Sequence, residues 1–388
     1  MQGQPSEQQE LLRNSAREFA AKELEPHAAD VDSAEQFPRR QFDGLARLGF
    51  LGLTVPEADG GAGGGYAELS VVIEEIAAAC GSTSTVFITH VSLGTATIAR
   101  FGSAAQRARW LPSLCRGERI AAFALSEPGS GSDALALSTT ARIEGGHYVL
   151  NGSKIFITNG DVADVFVVFV NSDRAKGHRG INAIVVERGT PGFAVNHMTG
   201  KMGMKGSATA ELSFHDCRVP AANRLAEEGR GYSVALSILS SSRVSIAAQC
   251  VGLARGAYDA AVSYAKERET FGRRIAEHQA IQFMLADTAT EIDAARLLTL
   301  RAASLVDAGR PHVAESAMAK LFASEVAGRA AHRAVQIHGG SGYFRPGKVE
   351  RIYRDQRVTE IYEGTSEIQR LIIARSILED ERGPRARD

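Results

Sequence analysis

Near the end of the sequence, Ile361-Tyr362-Glu363-Gly364-Thr365-Ser366-Glu367-Ile368-Gln369 sets one carboxylate between an aromatic ring and a glycine, just ahead of a helix start. Ser366 with Gln369 three residues on reads as a capping box, and Ile368, Leu371 and Ile372 open an apolar helical stripe. A carboxylate fixed at such a point is a candidate general base. Read alone, Glu363 is equally an ordinary turn residue before an N-cap.

Two further stretches concentrate small residues. In Ala124-Leu125-Ser126-Glu127-Pro128-Gly129-Ser130-Gly131-Ser132-Asp133, the glycines match a dinucleotide fingerprint literally, but Ala136 to Ala141 leads into strand-like sequence and not into a helix. What remains is either a tight turn at a sheet edge or a loop whose N–H groups and hydroxyls approach a ligand. Gln336-Ile337-His338-Gly339-Gly340-Ser341-Gly342-Tyr343 ends a helical pattern with three glycines in four positions, where a C-cap needs one. His338 has no second ligand at helical spacing and reads as a packing histidine. Arg243 lies on the apolar stripe of its helix with Ser240 nearby, so it needs either an internal ion pair or an anionic or carbonyl-bearing ligand. Gly60 to Gly65 lacks the Lys-Ser/Thr of a phosphate loop and reads as a turn.

The elements that must position these residues fall in three blocks. Up to about residue 120 the pattern is helical: Ser6 with Gln9 caps one helix, Leu69, Val72, Ile73 and Ile76 form the stripe of another that Gly81 stops, and Ser103 with Gln106 caps a third that runs into Leu111-Pro112. From 121 to 228 the period becomes two. Val165–Val170 and Ala183–Val186 are apolar runs, Ala210, Leu212 and Phe214 alternate with polar residues, and Asn151-Gly152, Asn159-Gly160 and Pro191-Gly192 mark turns. No helix of ten or more residues intervenes, which predicts an antiparallel sheet or barrel closed by Pro220. From 229 to 388 long helices return, one of them from about 277 to 308, another from about 314 to Gly339-Gly340, with a frayed charged end from Glu381 to Asp388. The expectation is an α+β chain of three domains: an N-terminal helical domain (1–120), a middle antiparallel β domain (121–228) and a C-terminal four-helix bundle (229–388).

Composition excludes several function classes. The 388 residues are 44% hydrophobic and 23% charged, with a net charge of −1, so nothing favours nucleic acid or an anionic membrane. Cys80, Cys115, Cys217 and Cys250 lack metal-ligand spacing and read as buried thiols. The polar opening MQGQPSEQQE lacks a signal core, and no apolar run suggests the ~20 residues of a membrane span. A soluble cytoplasmic protein is expected.

Together these stretches resemble the acyl-CoA dehydrogenase family over nearly the whole chain, with Ala124–Asp133, Gln336–Tyr343 followed by Glu350-Arg351 and Arg354-Asp355, and Glu363 carrying the likeness. The resemblance implies FAD between the β domain and the bundle, a tetrameric assembly, and oxidation of acyl-CoA to trans-2-enoyl-CoA. It implies flavin contacts from Phe123, Leu125, Ser126, Gly131 and Ser132, with Phe156, Ile157 and Thr158 covering the ring. Arg268, Phe271 and Gln279 would reach a neighbouring subunit's FAD, Gln336, Gly339 and Gly340 would hold its adenine and pyrophosphate portion, and Thr365 and Glu367 would make the last contacts. Ser132, Ser240, Arg243, Tyr362 and Gly364 would touch acyl-CoA. This chain departs from family habit at Ser240 (often acidic), Phe156 (often tryptophan) and Pro346 (usually acidic). Some members place the base where Ser242 stands, and serine cannot serve, which leaves Glu363.

The implied chemistry has Glu363 take the pro-R α-proton while flavin N5 accepts the β-hydride, with electrons passing to an electron-transfer flavoprotein. The helix start favours the anion of Glu363 and desolvation opposes it; desolvation is expected to win once substrate fills the pocket. The alternatives are an acyl-CoA oxidase using oxygen and a non-catalytic acyl-CoA-binding protein of the same fold. Ser84 to Leu93 is expected to line the acyl tail, with bulky Phe87 and Ile88 pointing to a short or branched chain.

Overall fold

The computed structural model describes residues 6–379, so the expected fraying of Glu381 to Asp388 lies outside the described residues. The order helices, strands, helices stands. Seven helices come first: α1 (Glu7–Phe19), α2 (Ala28–Ala34), α3 (Arg39–Arg47), α4 (Tyr66–Ala79), α5 (Gly81–Ile88), α6 (Ala96–Phe101) and α7 (Ala104–Cys115). The capping boxes of Ser6 with Gln9 and Ser103 with Gln106 are both formed. Two local expectations change. Gly81 is no left-handed stop; extended Cys80 separates α4 from α5, and Gly81 begins α5 because a Cβ there would sit 2.9 Å from the Asp355 carboxylate and the Met204 sulfur. Helix α7 continues through Pro112 to Cys115, giving up one backbone bond rather than ending. A π-helical turn, Thr89–Thr95, joins α5 to α6.

The β segment holds β1 (Ala121–Ala124), β2 (Thr140–Glu144), β3 (His147–Thr158), β4 (Val165–Asn171), β5 (Ile181–Glu187), β6 (Phe193–Met198), β7 (Thr209–Pro220) and β8 (Arg224–Leu225). The sheet runs β6-β7-β3-β2-β4-β5-β8, with β1 also paired to β4. Most pairs are antiparallel as expected, but β1 runs parallel to β4, and so does the single β2–β4 pairing. Every residue of β4 is buried, which is why its sequence is an unbroken apolar run. Strand pairing extends past Pro220 into the short β8.

The last block contains α8 (Gly231–Glu267), a small hairpin of β9 (Glu269–Thr270) and β10 (Arg273–Arg274), then α9 (Gln279–Asp307), α10 (Val313–His338), α11 (Lys348–Gln356) and α12 (Ser366–Glu379). Helices α8, α9, α10 and α12 form the expected bundle, and α4 packs on α8 from the first block. Contrary to the expectation from apolar runs, α8 is long and apolar enough to cross a membrane, but most of that stretch is buried within the protein, as for a core helix. The four cysteines are free and buried.

One clasp joins the three blocks. Arg354 on α11 pairs with Asp32 of α2 at 2.7 Å and with Glu350 at 2.8 Å, and the adjacent Asp355 accepts the backbone N–H of Met204 from the β segment. Burial raises the Asp355 carboxyl to about 6.

Candidate active site

The turn between α11 and α12 is strained. Glu363 has φ +53° and Gly364 φ +99°, a left-handed stretch that only the glycine adopts freely. Three donors hold its carbonyls: Arg243 Nε donates to Glu363 O at 3.3 Å, Gln369 Nε2 donates to Glu363 O at 3.3 Å and to Gly364 O at 2.8 Å, and Lys320 Nζ donates to Gly364 O at 2.8 Å. The capping box expected for Ser366 and Gln369 is absent. Thr365 Oγ1 caps α12 by accepting the N–H of Ile368 at 3.3 Å, and Gln369 turns back onto the Glu363-Gly364 turn instead. Glu367 lies exposed on the first turn of α12.

The Glu363 carboxylate accepts a hydrogen bond from Ser242 Oγ on α8. Burial raises its pKa to about 7, against the opposing pull of Ser242, Arg243 and Lys320. Desolvation therefore outweighs these three groups. Arg243 is buried, and among the described residues no carboxylate lies within ion-pair distance of it, which removes the internal ion pair as its partner. Burial also lowers its pKa from the usual guanidinium value. Ser240 is buried with its hydroxyl donating to Leu236 O at 2.8 Å.

Beyond Glu363 a polar relay runs inward. The Tyr362 hydroxyl donates to Gln249 Oε1, and Gln249 Nε2 donates to Ser84 Oγ and Thr85 Oγ1, each at 2.8 Å. Gln249 follows Ser242 by seven residues on α8, ~10 Å along the same face. Phe87, Ile88 and Leu93 are buried in the same stretch as Ser84. Asn159 Nδ2 donates to Val86 O at 3.0 Å, linking this wall to the end of β3.

At that end of β3 the register with β7 slips between Lys154 and Ile157, and Phe156 takes φ +59° with its ring two-thirds exposed. Such a bulge turns an aromatic side chain outward at a structural cost. Ile157 is buried and Thr158 half-buried. The backbone N–H of Ile155 donates to Ser126 O at 2.9 Å, so the Leu125–Asp133 loop lies alongside. Within that loop Gly129, Gly131 and Ser132 are exposed, and a Cβ on either glycine would meet nothing within 4 Å. The Phe123 ring is buried against Phe169, 4.8 Å between centroids, which leaves its backbone as the part that can meet a ligand.

Sequence reasoning did not single out what fixes this loop. Glu127 and Lys154 are both fully buried and paired at 2.7 Å. Glu127 also accepts from the Ser138 and Thr139 N–H groups, while Lys154 Nζ donates to Leu125 O at 3.1 Å. Burial pushes the Glu127 carboxyl up, but Lys154 and these donors prevail and hold it at about 2. A charged pair in a strand-edge loop is the available signal, yet its partners lie 27 residues apart.

The remaining predicted residues gather elsewhere. Arg268, Phe271 and Gln279 are exposed on and beside the β9–β10 hairpin, Phe271 at 96% exposure with φ +54°. Gln336, Gly339 and Gly340 are exposed at the end of α10, and a Cβ on Gly339 or Gly340 would meet nothing within 4 Å. Only Gly342 is tightly packed, against its own helix. His338 stacks on Tyr264, 4.4 Å between centroids, and bonds to Ala334 O, which makes it the packing histidine expected. Tyr264 follows Ser242 on α8 by ~33 Å of helix, so this second group stands well apart from Glu363.

The fold and the open glycine loops beside an exposed aromatic ring are those of a flavin-dependent oxidoreductase. The chain belongs to the acyl-CoA dehydrogenase family: the N-terminal, middle and C-terminal domain models of that family match residues 6–118, 122–217 and 229–378. It is an acyl-CoA dehydrogenase that uses FAD. It is 47% identical to the mitochondrial short-chain specific acyl-CoA dehydrogenase of Mus musculus over 97% of this chain and 91% of that one. It is 45% identical to the acryloyl-CoA reductase (NADH) of Anaerotignum propionicum, covering 96% and 94%. Butyryl-CoA dehydrogenase from Megasphaera elsdenii superposes with a TM-score of 0.95 at 39% identity, covering 97% and 100%. A chain solved in work on the electron transferring flavoprotein of Acidaminococcus fermentans does so with a TM-score of 0.96 at 43% identity, covering 98% and 100%.

The residues present fit FAD. Open glycine backbone at 129, 131, 339 and 340 leaves room for close approach, Ser126, Ser132 and Thr158 carry hydroxyls, and Phe156 presents an exposed ring.

Proposed function

We propose that this chain dehydrogenates a short-chain acyl-CoA thioester to the trans-2-enoyl-CoA, with Glu363 as the base. The observation that carries the reading is the Glu363 carboxyl itself, fixed in a left-handed turn, bonded to Ser242 and raised to about 7. A base with a pKa near the working pH best combines availability with driving force. The substrate α-carbon gives its proton to the Glu363 carboxylate, and the electron pair left behind delocalises toward the thioester carbonyl and forms the α,β double bond as hydride leaves the β-carbon. Bound FAD supplies the hydride acceptor, held by the Leu125–Ser132 loop, Phe156, Thr158, Thr365 and Glu367. Arg243 donates to the base's own carbonyl and places a cation beside it, which favours the ionised carboxylate that burial opposes.

The short-chain assignment is supported by the Tyr362–Gln249–Ser84/Thr85 relay, whose Gln249, Ser84 and Thr85 are buried. A tail long enough to reach it would break hydrogen bonds among buried groups, each costing ~1–3 kcal/mol. The names of the relatives agree with it. Electrons leave to an electron-transfer flavoprotein in this reading, a partner suggested by the A. fermentans likeness. The second group of cofactor residues stands ~33 Å along α8 from Ser242, which favours a homo-oligomer, a tetramer in our reading, with each FAD shared between two copies.

Anaerobic mixing with butyryl-CoA tests the assignment. The yellow protein should bleach, and Glu363→Gln should retain FAD while bleaching more than ~100-fold more slowly. Bleaching at the full rate in that variant would place the base elsewhere.

A further inference from the structure

We propose that Lys320 is a positioning residue for the reaction, holding the Glu363 turn and supplying a second buried positive charge against which the base works. The inference rests on Glu363 being the base. Lys320 lies on α10 with its side chain fully buried, and its Nζ donates to Gly364 O at 2.8 Å. Among the described residues no carboxylate lies within ion-pair distance of it.

A buried lysine without a paired carboxylate is costly and is not needed for the hydrogen bond alone. Gly364 O already accepts from Gln369 Nε2 at the same 2.8 Å, a neutral donor that ties the same carbonyl to α12. What Lys320 adds is charge. The titratable and charged groups acting on its ammonium are Glu363 and Glu360 near the turn and Cys250 and Arg243 on α8. Glu360 is engaged by Arg357 at 2.7 Å, and burial raises the Cys250 thiol to about 12, which keeps it neutral. Glu363 is thus the carboxylate left to balance both Lys320 and Arg243.

Two consequences follow from that balance. Before reaction, the pair of cations favours the ionised base that burial opposes, and burial correspondingly lowers the Lys320 ammonium to about 8. Once Glu363 carries the proton, two cations remain beside it without a counter-charge. They meet the negative charge that proton removal leaves on the thioester. The same ammonium pins the carbonyl of Gly364, the residue that follows Glu363 at φ +53°, a conformation that persists only when its surroundings enforce it.

The test compares Lys320→Met, which removes donor and charge, with Lys320→Gln, which keeps a donor and removes charge, both as FAD-loaded protein turning over butyryl-CoA. We expect kcat to fall about tenfold or more in Lys320→Met with KM within about twofold. In both variants the acid limb of the kcat–pH profile should move to higher pH by about half a unit, or about threefold in activity on that limb. Profiles that superpose on the wild type in both variants would overturn the assignment, as would loss of folding and FAD in both, which would make Lys320 structural. Glu363→Gln run alongside separates the two readings. Full activity there defeats the base itself, whereas an inactive Glu363→Gln with unmoved Lys320 profiles defeats only the role of Lys320.

Discussion

Replacing Glu363 by glutamine should stabilise the protein above pH 7 while abolishing its chemistry. Burial lifts the Glu363 pKa from its ordinary 4.5 to about 7, so the folded protein holds this proton more tightly than the unfolded chain does. The folded state is therefore favoured where Glu363 is protonated in both states. That advantage declines as pH rises through 4.5, and it is fully lost above about 7, where the carboxylate is ionised in both. At 1.36 kcal/mol per unit, the penalty of keeping the anion buried is about 1 kcal/mol at pH 5 and about 3 kcal/mol at pH 8. Glutamine accepts the Ser242 hydrogen bond through its carbonyl and carries no charge, so it avoids that penalty. With an unfolding entropy of ~2.1 cal/mol/K per residue, 3 kcal/mol corresponds to ~4 °C in Tm for a chain of this length. Thermal unfolding of the FAD-loaded wild type and variant at pH 5 and pH 8, followed by calorimetry, measures the gap. An equal gap at both pH values, or one that narrows toward pH 8, would show that Glu363 is not held against its solvation and would remove the physical basis for its role.

Gln249→Ala should remove the proposed stop to the acyl tail. Activity with C8-CoA should rise relative to C4-CoA by about tenfold, and an unchanged ratio across a chain-length series would exclude the relay as the stop. Lys154→Met leaves Glu127 buried and unpaired, a loss of about 3–5 kcal/mol. FAD should dissociate more readily from that variant on gel filtration, and wild-type retention would show that the loop does not depend on the pair.

The succession of helix, strand and helix was legible because it depends on local periodicity, and the bundle and the buried strand β4 follow from it directly. Helix caps were legible at Ser6 and Ser103, whose partners lie three residues away. The same rule failed at Ser366 because Gln369 is drawn to the carbonyls of Glu363 and Gly364, an attraction created by the strained turn and invisible to a local pattern. Glu363 was singled out by the motif around it, and the structure adds its left-handed backbone and its bond to Ser242. Lys320 was not, since nothing in the helical pattern of α10 distinguishes a lysine that reaches a turn 44 residues away from one that faces water. Arg243 shows the intermediate case: its place on an apolar stripe announced burial, and only three dimensions showed that the partner was a backbone carbonyl and not a carboxylate.

The Arg354–Asp32 pair in the clasp closes a loop of 322 residues. A contact between such distant points repays its closure entropy only after the intervening chain is already ordered, so it belongs to the last stage of folding. Interactions absent from the folding transition state act chiefly on the rate of unfolding. The clasp is in this sense a latch more than a nucleus: it contributes little to how fast the chain folds and much to how long it stays closed. Because neighbouring residues of α11 bind both α2 and the β segment, releasing either loosens the anchorage of the other.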